Sequence, residues 1–342
     1  MGTLRGVNLG GWLVLERWMT PSLFAGTDAR DEYEFMQTPG ALAKLREHQK
    51  TFITEEDFRW MSKNGINAVR IPVGYWIING DGPFRSSIGK LDWAVRTAKQ
   101  YDIAVLICLH GAPGSQNGND HSGQAGKADW YERQTYRTQT VQVLSELAKR
   151  YAAEPAVWGI ELLNEPLAKF WQPTLRRFYR DAYAAIRQVA RPGLTIVYSD
   201  AFTPRLLSGA LTPKSSYPIV MDHHWYHFFI PGWLQPKLPF GWYYTYLRYK
   251  SLLVERLSRA QPVIIGEWSG IIGGEKLSKY PERAHEALID THIQKQLTAY
   301  EHLAGWFYWS YKTEDRGVFH FRSMVEDGRV ELSTEPRHAR SR

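Results

Sequence analysis

The 342-residue sequence holds one cysteine, Cys108. A lone thiol excludes an intrachain disulfide framework and any multi-cysteine zinc or iron–sulfur centre. No apolar run approaches the roughly 18 residues that a membrane span needs. The opening Met1-Gly2-Thr3-Leu4-Arg5 lacks the apolar core of a signal peptide and runs straight into a segment that reads as a buried strand. The expected address is the cytoplasm, unless a preceding segment has been removed. A nucleotide-type phosphate turn is also missing. The stretch after the first strand, Gly6-Val7-Asn8-Leu9-Gly10-Gly11-Trp12, is not G-x-G-x-x-G.

What is present is a chain 44% hydrophobic and 23% charged, enough apolar matter for a core and too little charge for disorder. Its 42 Lys and Arg exceed its 35 Asp and Glu, a net charge of +7. Three of those charges, Arg337, Arg340 and Arg342, fall in a tail over 335–342 that reads as a disordered end. Arg176, Arg177, Arg180, Arg187 and Arg191 share one helical pattern and fit a solvated face, so no nucleic-acid partner is expected. Aromatics are the more informative surplus: 14 Trp, 19 Tyr and 14 Phe. Many stand beside Gly, Pro, Asn or His rather than in apolar runs; most read as core, and the remainder suggest flat platforms, on which a sugar ring is one common thing to stack.

Short apolar segments without strict alternation recur at Leu4–Asn8, Ala68–Val73, Ala104–His110, Val157–Asn164, Leu194–Tyr198, Ile219–His224, Val263–Glu267 and Gly305–Trp309. They read as parallel strands buried on both faces. Helical patterns separate them: Thr54–Asn64, Leu91–Tyr101, Tyr131–Tyr151, Thr174–Ala190, Tyr246–Arg259 and Pro281–Leu303. Only the link between the fifth and sixth strands lacks a long helix. Length alone allows two domains, or one large barrel. With no repeat, linker or composition shift, eight strands in this alternation predict an α/β fold, a single (β/α)8 TIM barrel over 1–334 with long βα loops. An open doubly wound sheet is the other architecture of this pattern.

In a barrel the reactive groups come from strand C-termini and the loops after them. Here those ends carry Asn8 with Glu16 shortly after, Arg70, His110, Asn164-Glu165-Pro166, Asp222-His223-His224-Trp225-Tyr226, Glu267-Trp268 and Trp309. Polar groups costly inside apolar strands thus gather at one end of every strand but the fifth. Glu165 and Glu267 place carboxylates on opposed strands, as glycoside hydrolysis requires: one acid for the leaving oxygen, one carboxylate for the developing oxocarbenium ion. Their environments must separate their pKa values. Arg70 and the Tyr226 hydroxyl are expected to keep Glu267 ionised, and a less polar setting to keep Glu165 protonated. Asn164 supplies an amide donor suited to a sugar 2-hydroxyl.

From Arg5 to about Glu314 the sequence resembles glycoside hydrolase family 5, whose clan contains retaining (β/α)8 enzymes, and within it the fungal exo-β-1,3-glucanase group. The resemblance is carried by Arg5-Gly6-Val7-Asn8-Leu9-Gly10-Gly11-Trp12, Met19-Thr20-Pro21-Ser22-Leu23-Phe24, Val69-Arg70-Ile71-Pro72-Val73-Gly74 and Leu109-His110-Gly111-Ala112-Pro113-Gly114-Ser115-Gln116-Asn117-Gly118. It continues through Leu163-Asn164-Glu165-Pro166, Asp222-His223-His224, Gly266-Glu267-Trp268-Ser269 and Trp309-Ser310-Tyr311-Lys312-Thr313-Glu314. It implies Glu165 as acid/base and Glu267 as nucleophile, with Arg70, His110, Asn164, His224, Tyr226 and Trp309 as further active-site positions. It also implies Glu16 and Asp120 as acids holding the hydroxyls of a terminal sugar, and Phe229 as an aromatic at the entrance. The implied activity is a retaining exo-β-glucosidase acting on β-1,3-glucan or related β-glucosides. Asn119 departs from the pattern where fungal enzymes commonly carry Phe, and the stretch 228–246 is unusually aromatic.

Other readings are weaker. His223 and His224 point to opposite faces of an extended strand, so with His227 and Asp222 they do not make a ready metal site. Cys108, inside Val105-Leu106-Ile107-Cys108-Leu109, reads as a buried inert thiol. A non-catalytic β-glucan-binding barrel would be expected to lack one glutamate. A β-1,6-glucanase or a transglycosylase would share the same site. No cofactor follows from the sequence, and a monomer is expected.

Overall fold

The computed structural model describes residues 2–167, 172–212, 216–226, 261–273 and 277–332, with the single positions 249, 252, 253 and 256. Eight strands are β1 (Leu4–Asn8), β2 (Ala68–Gly74), β3 (Ala104–Gly111), β4 (Val157–Glu161), β5 (Thr195–Ser199), β6 (Ile219–His224), β7 (Val263–Trp268) and β8 (Gly305–Tyr308). Each is parallel to its neighbour in chain order, and β8 pairs with β1, closing a (β/α)8 barrel. The open-sheet alternative is thereby excluded. Helices Glu55–Lys63, Ile88–Gln100, Gln134–Arg150, Pro173–Val189 and His285–Tyr300 alternate with the strands. Among the described residues between β5 and β6, the single turn Pro204–Leu207 is the only helical element, as the missing helical pattern implied. The expected helix over 246–259 lies almost wholly outside the described residues, and the tail over 335–342 lies outside them entirely.

Two differences from the sequence reading have physical causes. Helix Ala41–Thr51, in the long loop after β1, buries only Ala41, Leu45 and Gln49, leaving too thin an apolar stripe to stand out. The other concerns β4, which ends at Glu161 rather than at Asn164. A strand would turn Asn164 and Glu165 to opposite faces, whereas both converge on the cleft. The chain must therefore leave strand geometry before them.

Inside the barrel, alternate residues build two layers. Leu4, Ala68, Leu106, Val197, Val220, Ile264 and Phe307 fill the N-terminal half with an apolar plug. Above it the inward positions become polar: Asn8, Arg70, Glu161 and Asp222 are all fully buried. Gly266 is needed there because a Cβ would collide with the Asp222 carboxylate, whose Oδ1 accepts the Gly266 N–H at 2.6 Å. Outward residues such as Val69, Ile71, Val105 and Ile107 pack beneath the helices.

The loop after β1 is pinned by Glu32. Its carboxyl accepts the Leu15 N–H at 2.9 Å and the Trp76 Nε1–H at 3.1 Å. Burial outweighs both hydrogen bonds and pushes its pKa up to about 8 from 4.5. The folded state therefore keeps a proton that the unfolded chain gives up near 4.5, and loses stability as pH rises between those two values. Relative to wild type, Glu32→Gln should gain stability steadily from about pH 5 to 8. Denaturant titrations across that window test this, and parallel stability curves would show that Glu32 carries no such shift.

Candidate active site

Arg70 stands at the centre of the polar layer and uses all five guanidinium N–H groups. Nε and Nη2 donate to Glu161 at 2.7 and 3.0 Å, and the second Nη2–H reaches Asn164 Oδ1 at 2.7 Å. Nη1 donates to Asn8 Oδ1 and to Glu267 Oε1, both at 2.9 Å. Burial works against its charge, and the carboxylates of Glu161 and Glu267 outweigh burial, so Arg70 is held firmly cationic. One cation thus links β1, β2, β4 and β7.

The turn after β4 carries strain. Glu165 lies at φ +39°, a left-handed conformation that costs a non-glycine residue about 1–3 kcal/mol. The long loop after β3 holds it there. Gln116 Nε2 donates to the carbonyls of His110 and Asn164 at 2.7 and 3.0 Å, and Asn117 Nδ2 donates to the Glu165 carbonyl at 3.0 Å. The Ser-Gln-Asn run of the sequence is therefore a brace for the Asn164–Glu165 bend.

Glu165 and Glu267 face each other with an oxygen of each, and one nitrogen of His224, all within 4.8 Å. Glu267 accepts from Arg70 and, on Oε2, from the Tyr226 hydroxyl at 3.0 Å. His224 Nδ1 lies 2.7 Å from Glu165 Oε1 and 3.5 Å from Glu267 Oε2. His121 Nε2 lies 3.4 Å from Glu165 Oε2.

These contacts overturn one expectation. Glu165 has more cationic neighbours than a resting acid should have, not fewer. Burial raises its pKa, but the hydrogen bond and charge of His224, then His121 and Arg70, pull it down to about 2. Glu267 moves up instead, because burial and the Glu165 charge outweigh His224 and Arg70. Burial opposes the charge on His224, yet Glu267, Asp222 and Glu165 hold its pKa well above the ordinary imidazole range. The pair Glu165–His224 thus shares one proton, held toward the imidazole side.

The remaining predicted residues that lie among the described ones also reach the cleft. Trp309 stacks on His110 with centroids 5.6 Å apart and planes 4° from parallel. His110 Nε2 lies 3.4 Å from Asn164 Nδ2, and burial lowers the pKa of this histidine well below the usual value. Glu16 is buried; its Oε2 accepts the Trp18 Nε1–H at 2.9 Å, while its buried Oε1 has no partner among the described residues. Burial, then the charges of Asp120, Glu267 and Glu165, raise the Glu16 pKa well above the carboxylate range. Phe229, His227 and the aromatic stretch 228–246 lie outside the described residues. Glu161, buried in the strand that was read as apolar, and His121, which follows Asp120, were not singled out in the sequence. Their only signals are a charge within an apolar strand and a histidine beside a proposed sugar ligand.

Two clusters, Glu161–Asp222–His224 and Glu165–His224–Glu267, have the reach to surround a cation, and Arg70 lies against all three members of the first, 2.7 Å from Glu161, 4.0 Å from Asp222 and 3.4 Å from His224. His223 turns to the other side of β6, 2.6 Å from Asp200 Oδ2. Burial raises the pKa of the Cys108 thiol well above its usual value, and the thiol stays 3.8 Å from His110 Nδ1. Replacing Arg70 by Met should cost about 3–5 kcal/mol, because Glu161 and Glu267 would be left buried and unpaired. Glu161→Gln, which keeps an acceptor, should cost less. Urea unfolding of the two variants checks the order, and equal losses would remove Arg70 from its central place.

The sequence model of the family "Cellulase (glycosyl hydrolase family 5)" matches residues 31–315. The probable glucan 1,3-beta-glucosidase A of Aspergillus fumigatus is 34% identical over 96% of this chain and 87% of its own length. The glucan 1,3-beta-glucosidase of Blumeria graminis is 32% identical over 96% and 86% respectively. Among solved structures, the rutinosidase from Aspergillus niger superposes with a TM-score of 0.78 at 21% identity, over 96% of this chain and 98% of that one. Cel5A of Thermotoga maritima, in complex with mannotriose, gives 0.57 at 17% identity, over 92% and 91%. With the family pattern spanning most of the barrel and relatives a third identical along nearly its whole length, this chain is a glycoside hydrolase belonging to glycosyl hydrolase family 5.

Proposed function

We propose that the protein is a retaining, exo-acting β-glucosidase that hydrolyses β-1,3-glucan or related β-glucosides. The observation that carries this reading is the approach of Glu165 and Glu267 oxygens to within 4.8 Å. Inverting enzymes need about 6.5–9.5 Å between the two carboxyl groups to seat a water, whereas retaining enzymes hold them at about 5–5.5 Å. Glu267 attacks the anomeric carbon as Glu165 protonates the leaving oxygen. Glu165 then takes a proton from the incoming water as the glycosyl–Glu267 bond breaks.

The proton that Glu165 donates is the one it shares with His224 across 2.7 Å. Bond formation discharges Glu267, and that change lowers the pull of the anions on that proton. Glu16, with a buried oxygen unpartnered among the described residues, and Asp120 suit the hydroxyls of a terminal glucose. Acids closing that end give exo action a physical basis. The names carried by the relatives supply the β-1,3 linkage.

Product analysis on laminarin, pustulan and aryl β-glucosides tests the reading. β-Glucose should appear first by NMR, and α-glucose would reject retention. Glu267→Gln should abolish turnover with the fold intact. Glu165→Ala should lower rates on poor leaving groups by about 10²–10⁴-fold and on nitrophenyl glucosides far less. Equal losses on both would reject it as the acid.

A further inference from the structure

Two imidazoles reach Glu165, and the second, His121, belongs to none of the motifs that carry the family resemblance. It sits in the single turn Asp120–Ser122 on the loop after β3. The backbone there is held firmly. Ser122 Oγ bonds Ser115 Oγ at 2.6 Å and the Asn119 carbonyl at 2.7 Å, and the Gly123 carbonyl accepts the Tyr33 N–H at 2.9 Å. The His121 side chain is only 16% exposed and stands edge-on to the His110 ring at 5.4 Å.

The hydrogen-bond chain around it sets its tautomer. Asn164 Oδ1 is taken by Arg70 at 2.7 Å, so the amide NH2 faces the two imidazoles. It lies 3.4 Å from His110 Nε2 and 3.5 Å from His121 Nδ1. An amide NH2 only donates, so both of these ring nitrogens are acceptors. With Nδ1 accepting, the ring proton of His121 falls on Nε2, the nitrogen 3.4 Å from Glu165 Oε2. The structure sets the Nδ2 of exposed Asn119 3.2 Å from the same Nε2; a half-turn of that amide, whose two ends are interchangeable, presents Oδ1 there instead and accepts the N–H. At 3.4 Å the contact with Glu165 is long, as catalytic hydrogen bonds commonly are outside the transition-state complex.

We propose that His121 is a positioning residue for the acid/base: its Nε2–H, oriented through Arg70 and Asn164, holds Glu165 Oε2 and leaves Oε1, the oxygen shared with His224, to carry the transferable proton. This rests on the reading of Glu165 as the acid/base. The other charged or titratable groups acting on Glu165 are His224 after β6, Glu267 of β7, Arg70 of β2 and Glu16 after β1. His121 itself also faces His110 of β3 and adjoins Asp120. A donor aimed at Oε2 stabilises the carboxylate, which suits the half-reaction in which Glu165 must take a proton from water.

The test is the pH profile of kcat/KM on an aryl β-glucoside with a poor leaving group, where loss of the acid proton sets the alkaline limb. His121→Leu should move that limb up by about one pH unit, because one hydrogen bond to the carboxylate is lost. His121→Gln, whose amide N–H can stand near Nε2, should bring it back toward wild type. Thermal melts followed by circular dichroism keep a folding defect from being read as a limb shift, and His121→Asn offers the same loss of the Nε2–H should His121→Leu melt early. An alkaline limb that stays in place in every His121 variant, yet vanishes in Glu165→Ala, overturns the positioning role alone. A limb that persists in Glu165→Ala overturns the acid/base reading itself and the proposal with it.

Discussion

Everything polar in this barrel is arranged about one buried guanidinium. A charge taken wholly out of water is tolerated only where each of its hydrogens finds an acceptor and nearby anions balance it. Arg70 meets both conditions, with Glu161, Glu267, Asn8 and Asn164 around it. Because a guanidinium is planar and its five donors are fixed in direction, these four side chains are fixed in direction too. The carboxylate of Glu267 and the amide of Asn164, which turns its NH2 toward His110, both follow from one rigid fork.

The arrangement separates stability from chemistry along the barrel axis. The apolar plug from Leu4 to Phe307 closes the N-terminal half, and the Arg70 layer sits directly on it. Only above that layer do Glu165, His224, Tyr226 and Trp309 meet the cleft. Strain at Glu165 is concentrated at this upper level, where Gln116 and Asn117 hold the bend in place. The same level holds more carboxyl groups than cations, which is why one proton is shared between Glu165 and His224 rather than assigned cleanly to either.

The barrel and most of the site were legible in the sequence, for reasons that particular residues make plain. Strands such as Val105-Leu106-Ile107 are apolar on both faces only because both faces are covered, so their run length and the helical patterns between them reveal the architecture. Strand-end residues are polar in otherwise apolar runs, and that contrast exposed Arg70, His110, Glu165, His224 and Glu267. Glu161 escaped notice because it belongs to the inside of a strand, where nothing local distinguishes a buried ion-pair partner from an interruption. Helix Ala41–Thr51 escaped because tertiary contact at three positions, rather than a broad apolar face, holds it.

By itself, the sequence determined the alternation of strands and helices, and it singled out the two glutamates, Glu165 and Glu267, that the closed barrel brings together. Those properties depend on residue type and order along the chain. Only the tertiary structure decided where the protons rest. The protonation of Glu165 depends on His224 and His121, which are remote from it in sequence and converge on its two oxygens in space. Electrostatic coupling falls with distance and grows with burial. Neither quantity exists until the barrel has closed.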